Sequence, residues 1–121
     1  MDRLALHIEY LLLRHDCVVV PGCGAFINVY HSALEDSESG IMSPMTSEVR
    51  FNSALVHDDG LLAASYARRE RVSFAEGREM VRASVSNLRD AMALDREVSI
   101  GRLGTLHMDS ELNLSFVPAS T

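Results

Sequence analysis

The chain has 121 residues, 47% of them hydrophobic, a formal charge of −6 and two cysteines. That is enough for one well-buried core and too little for two independent ones, and no apolar run approaches the ~20 residues that span a bilayer. The N-terminus lacks the short basic segment of an export signal, and Cys17 and Cys23 have no metal-type spacing, so a reduced, cytoplasmic chain is expected, with Cys17 as a small core residue.

Asp2 is placed to cap a helix over residues 3–15, in which Leu4, Ile8, Leu11 and Leu12 recur at helical spacing. Residues 17–20 are short and β-branched and read as a strand; 21–24 turn it, and 25–30 return as its partner. From His31 to Ser47 the chain is polar and acidic, with Gly40 and Pro44 as breakers, and reads as a loop or an extended arm. Residues 48–51 suggest a third strand, and Asn52 is placed to cap a short helix through His57.

Asp58-Asp59-Gly60 marks the expected boundary between two halves, 1–58 and 59–121, and either aspartate suits the cap of a helix reaching about Arg69. Ser73-Phe74-Ala75-Glu76 matches a capping box, in which hydroxyl and carboxylate each satisfy an orphan backbone N–H. The helix that follows, 74–94, carries Met80, Val81, Ser84, Val85, Leu88, Ala91 and Met92 on one stripe. Residues 97–100 and 105–108 form a second hairpin, 109–111 turn the chain, and 112–116 close the sheet before Pro118. The pattern is α+β with antiparallel strands.

The chain repeats itself. Val20-Pro21-Gly22-Cys23-Gly24-Ala25-Phe26 returns as Ile100-Gly101-Arg102-Leu103-Gly104-Thr105-Leu106, and a shift of 80 superposes Ile8 on Leu88, Leu12 on Met92, Val18 on Val98 and Gly24 on Gly104. Helix, Gly-bearing hairpin and paired strand made twice imply half-domains that cover each other's apolar faces.

Charge is split between them. Residues 1–60 hold three arginines against nine carboxylates, and 61–121 hold eight against eight; there is no lysine. The halves can therefore attract each other or present surfaces of different sign to a partner. Arg78, Arg82, Arg89 and Arg96 fall within about 40° of one another on the long helix, about 95° from its apolar face. Such a stripe flanks a core and pairs with carboxylates such as Glu79 or Asp90, meets a protein partner, or meets phosphate. Arg68, Arg69 and Arg71 cluster near a helix end, where cations suit the dipole.

Enzymatic readings find little support. Gly22-Cys23-Gly24 is followed by a strand, whereas a phosphate-cradling loop needs a helix N-terminus there. His15-Asp16 and His57-Asp58, with His7, suggest metal-dependent phosphohydrolases, but the pairs sit at element ends separated by strands, where His and Asp serve as caps. No nucleophile–base constellation or paired-carboxylate cleft stands out, and no cofactor, metal or small-molecule substrate is expected.

The second half resembles a whole HU/IHF-type nucleoid protein without its arm. Its Val98-Ser99-Ile100-Gly101-Arg102-Leu103-Gly104-Thr105-Leu106 is similar to that family's hairpin signature, and Leu114-Ser115-Phe116-Val117-Pro118 looks like its third strand. The first half looks like the same unit lacking its first helix. Its Val19 to Phe26, Phe51-Asn52 and His57 to Leu62 are similar to a bacterial branch of HU-like domains related to a eukaryotic centrosomal coiled-coil protein. The resemblance implies an HU/IHF-like α+β fold in which two half-units, each a helix with a short three-stranded antiparallel sheet, form an intramolecular pseudo-dimer. It also implies a place at the cytoplasmic end of a longer protein that continues through a membrane helix to a peptidoglycan-binding SPOR domain.

HU proteins bind DNA with two basic β-arms whose proline tips wedge between base pairs. Here the arm is 30–48, with Pro44 at a tip-like place, yet it carries Glu35, Asp36, Glu38 and Glu48 and no arginine, a charge that repels phosphate. The expected function is therefore a non-enzymatic interaction module for a protein partner, worked by Glu35, Asp36, Glu38, Met42, Pro44 and Met45 of the arm. Met42 and Met45, beside Ile41, suit a docking patch or a fold-back over the core. The alternative is a weak, sequence-independent DNA binder using Arg78, Arg82, Arg89 and Arg102.

Overall fold

The computed structural model describes residues 2–31, 35–36, 41–42 and 46–119. Helix α1 (Asp2–Leu12) leads into the hairpin of β1 (Cys17–Val20) and β2 (Gly24–His31), and β2 pairs on its other side with β5 (Thr46–Asn52). Between them, β3 (Glu35–Asp36) and β4 (Ile41–Met42) pair antiparallel. Helices α2 (Leu61–Glu70) and α3 (Phe74–Asp95) then precede a second sheet of β6 (Glu97–Ile100), β7 (Gly104–Met108) and β8 (Leu114–Pro118). No helix among the described residues is long and apolar enough to cross a membrane.

The repeat seen in the sequence is a structural one. In the first hairpin Cys17 opposes Ile27 and Val20 opposes Gly24; in the second, Glu97 opposes His107 and Ile100 opposes Gly104, the same register shifted by 80. Even the hydrogen bonds around it recur: Asn28 N–H to the Asp16 carbonyl at 2.8 Å matches Met108 N–H to that of Arg96 at 2.9 Å. Third strands repeat as well, with Phe51 opposite Phe26 and Phe116 opposite Leu106. Each phenylalanine lies against a hairpin glycine. A Cβ on Gly24 would sit 2.2 Å from the Phe51 ring, and one on Gly104 would sit 2.8 Å from that of Phe116. Close approach is what both glycines supply.

Local chemistry explains the element ends. Ser73 Oγ accepts the Glu76 N–H at 3.1 Å and starts α3 as a capping residue should. Both aspartates act before α2: Asp58 Oδ1 takes the Gly60 N–H at 2.8 Å and Asp59 Oδ1 the Leu61 N–H at 3.0 Å. The second oxygen of Asp59 accepts the Val19 N–H at 3.3 Å, tying the start of the second half to edge strand β1. The expected short helix after Asn52 is absent: Asn52 Oδ1 takes the Ala54 N–H at 2.9 Å, and this local turn competes with helix initiation. Helix α1 also stops earlier than its apolar pattern suggests, at Leu12 rather than near His15.

A single core joins the halves. Leu4, Ile8, Leu11, Val18, Val20 and Phe26 from the first pack in one cluster with Leu62, Tyr66, Leu88, Met92, Ile100 and Leu106 from the second. Phe26 touches both third strands, with ring centroids 5.0 Å from Phe51 and 5.2 Å from Phe116, the latter edge-on. Fully burying one such side chain is worth roughly 1.5–3 kcal/mol, so apolar packing across the halves dominates any polar contact between them. Of the stripe expected on α3, Val81, Val85, Leu88 and Met92 are buried, while Met80, Ser84 and Ala91 are half-buried at its edges. Gly77 lets α3 cross α2 closely: a Cβ there would lie 2.4 Å from the Ala63 carbonyl.

Polar contacts across the halves are reciprocal. Arg89 on α3 donates from Nη2 to the carbonyl of Gly22 in the first hairpin turn. Glu9 on α1 accepts the N–H of Arg102 in the second turn, at 2.9 Å. A contact made from one half to the other and made again in reverse is the mark of an isologous pairing. The molecule is an intramolecular pseudo-dimer.

Candidate docking site

Three surfaces offer themselves to a partner. The first is the ribbon of β2 and β5, paired from Ala25 and Asn52 outward to His31 and Thr46. Glu48 on it accepts from Arg50 at 3.0 and 2.6 Å, so the ribbon's arginine is occupied by a neighbouring carboxylate. At the far side, the backbone pairs Glu35 with Met42 and Asp36 with Ile41. Glu38, Pro44 and Met45 of the expected arm site lie outside the described residues.

A second surface is the cleft, about 370 Å³, between α3 and the first hairpin turn, and it brings Arg78, Arg82 and Arg89 together beside Gly22 and Asp58. Two of these guanidinium groups have protein partners: Arg82 meets Glu79 at 3.2 Å, and Arg89 holds the Gly22 carbonyl. Further along the stripe, Arg96 donates to the Asp109 carbonyl at 3.3 Å. Arg102 is not among the residues lining this cleft; it stands on the second hairpin turn, its N–H bound to Glu9 of α1.

The third surface lies between α1 and α2, and the sequence reading did not single it out. Leu6 and Tyr10 on the outside of α1, and Leu13 just past its end, recur at helical spacing and are 53%, 44% and 83% exposed. Leu6 and Tyr10 border a cleft of about 360 Å³ whose other wall carries Ser65, Arg68 and Arg69 of α2. Arg14 sits over the Tyr10 ring at 5.4 Å, adding a cation to the rim. The signal was present in the sequence: α1 is apolar on two faces, whereas a surface helix needs only one.

His7 lines the same cleft, 4% exposed. Its Nδ1 lies 2.6 Å from Ser65 Oγ, and its ring stacks on Tyr66 at 4.1 Å. Tyr66 in turn donates to Ser84 of α3 at 2.9 Å, so the stack is anchored from behind. Among the described residues, buried Nε2 has no hydrogen-bond partner. Burial, with Arg69 beside it, keeps the His7 pKa below its ordinary 6.5.

The His-Asp pairs are dispersed. Asp16 accepts the Tyr30 hydroxyl at 2.9 Å, Asp58 accepts the Gly60 N–H in a turn just before α2, whose N-cap is Gly60 and not the expected aspartate, and His7 engages Ser65. No group of three or more His, Cys, Asp or Glu residues suited to a metal occurs among the described residues. Cys23 is buried, and that burial pushes its thiol pKa up, away from the reactive thiolate.

Two family models match the chain end to end. Residues 1–59 match the CCDC81-like prokaryotic HU domain 1, and residues 60–121 match the CCDC81-like prokaryotic HU domain 2. No curated protein and no solved structure matches it significantly.

Proposed function

We propose a protein-docking role for this chain, which belongs to the CCDC81-like prokaryotic HU domains in both of its halves. One observation carries this reading: the segment 30–48, which stands where HU relatives carry a basic arm, holds Glu35, Asp36, Glu38 and Glu48 and no arginine, and Arg50 at its base is paired with Glu48. Between Arg14 and Arg50 the sequence has no basic side chain other than His15 and His31. Sequence-independent DNA binding draws its affinity from phosphate neutralisation and counterion release, and an acidic projection opposes both. The exposed apolar residues of α1 supply what a protein interface needs instead, a desolvating surface with an arginine-bearing rim.

A second reading rests on the α3 cleft, where Arg78, Arg82 and Arg89 converge. It makes the chain a weak, sequence-independent DNA binder. Fluorescence anisotropy with duplex DNA at ~50 mM salt separates the two. Docking to protein alone gives no binding below about 10 µM, the weak end of ordinary non-specific affinity being far above nanomolar. Binding that falls steeply with added salt and is reduced by Arg82→Glu overturns the protein reading.

A further inference from the structure

The cleft between α1 and α2 combines an apolar wall with guanidinium groups and a buried imidazole nitrogen that have no partner among the described residues. Leu6 and Tyr10 lie about one turn apart along α1, and exposed Leu13 follows just past the helix end, so the apolar surface is longer than a simple anion requires. Opposite them, Arg68 and Arg69 form no ion pair among the described residues, while Arg3 at the cleft's end reaches Glu70 at 3.7 Å. Two unpaired arginines on the rim of an apolar groove complement carboxylates carried by an apolar chain.

We propose that this cleft is a docking site for an acidic, apolar peptide segment of a partner protein, its leucine-like side chains on Leu6 and Tyr10 and its carboxylates on Arg68 and Arg69. The site rests on the protein-docking reading above and names the chemistry of the partner. His7 forms the floor. Arg3, Arg69 and Glu70 are the charged groups that act on it, and Tyr66 stacks against it. A carboxylate entering the cleft offsets the arginines and makes the imidazolium easier to form, so His7 reports occupancy. An ordinary rim of solvated arginines, by contrast, gives an acidic ligand no preferred place.

The test is an NMR titration of the whole chain with a blocked hexapeptide alternating leucine with glutamate, and with its glutamine counterpart. The expected result is that only the glutamate peptide shifts the amide signals of 3–14 and 62–71 and raises the His7 pKa. Arg68→Glu/Arg69→Glu should weaken that binding at least tenfold, with its unfolding midpoint unchanged as proof of an intact fold. Equal binding of the two peptides, shifts confined to α3 or the β2–β5 ribbon, or no shift at millimolar peptide overturns the proposal. Inorganic phosphate serves as a further arm, and if it reproduces the whole effect the site is for a simple anion and the proposal fails. The DNA titration reads the broader docking role separately, so either reading can fall without the other.

Discussion

Glu9 and Arg89 hold equivalent positions on α1 and α3, 80 residues apart, and each reaches over to the hairpin turn of the opposite half. Their polarity is reversed: Arg89 donates to a carbonyl, whereas Glu9 accepts from an N–H. The backbone partners, Gly22 and Arg102, are again 80 apart. Truncating Glu9 or Arg89 to alanine is expected to cost about 1 kcal/mol, the usual net worth of one hydrogen bond, since solvent exposure screens the extra strength of a charged partner. For a domain of this size that lowers the thermal midpoint by roughly 3–5 °C. Glu9→Arg sets a donor against a donor and should cost more. Circular dichroism melts check the series, and midpoints equal to the parent's would refute the clasp.

Phe26 is the aromatic residue shared by both third strands, and it has no exposed surface. Phe26→Ala should destabilise the chain by about 3–5 kcal/mol, since it removes a buried ring and leaves a cavity between the halves. Urea unfolding should show one transition at a much lower midpoint. Two separate transitions, one per half, would contradict a common core.

Gly77 brings a third, independent prediction, because the helix crossing has no room for a side chain. Gly77→Ala gains helix propensity of about 1 kcal/mol but must push against backbone of α2, and overpacking costs typically about 1–3 kcal/mol. The clash with a carbonyl oxygen decides the balance, so net destabilisation is expected. Higher stability of this variant by chemical denaturation would show that the helices separate freely.

His7 makes stability depend on pH in a defined window. Its folded pKa lies below the ordinary 6.5, so the unfolded chain binds a proton more readily. The stability present above about pH 6.5 is therefore lost as pH falls from there, and the loss levels off below the depressed folded value. Denaturation midpoints of the parent should drop as pH falls through and below about 6.5, and His7→Gln should flatten that part of the profile. Identical slopes for the two would assign the dependence to other groups.

The repeat made the fold legible. Two Gly-bearing hairpins at one spacing placed four of the strands, and the turn at Asp58-Asp59 and the cap at Ser73 placed the starts of α2 and α3. Asn52 misled because its side chain serves a turn as well as a helix cap, and the sequence carries no sign of which it chooses. The arginine stripe was readable as a stripe, but not its fate: that Arg89 would hold a carbonyl 67 residues away depends on tertiary placement. The α1–α2 cleft escaped for a different reason. A wheel built on Leu4, Ile8, Leu11 and Leu12 accounts for the core face, and Leu6, Tyr10 and Leu13 then pass as incidental.

Joining the two units in one polypeptide changes what evolution can do with them. A pair of identical chains must present the same surface twice, and its population falls on dilution. Here association is built in at any concentration, and each side is free to differ. The chain uses that freedom: one side extends the long β2–β5 ribbon, the other closes β7 to β8 with a tight turn in which Asp109 accepts the N–H groups of Glu111 and Asn113. Such lopsidedness leaves the molecule without two equivalent faces, whereas a symmetric dimer presents every face twice.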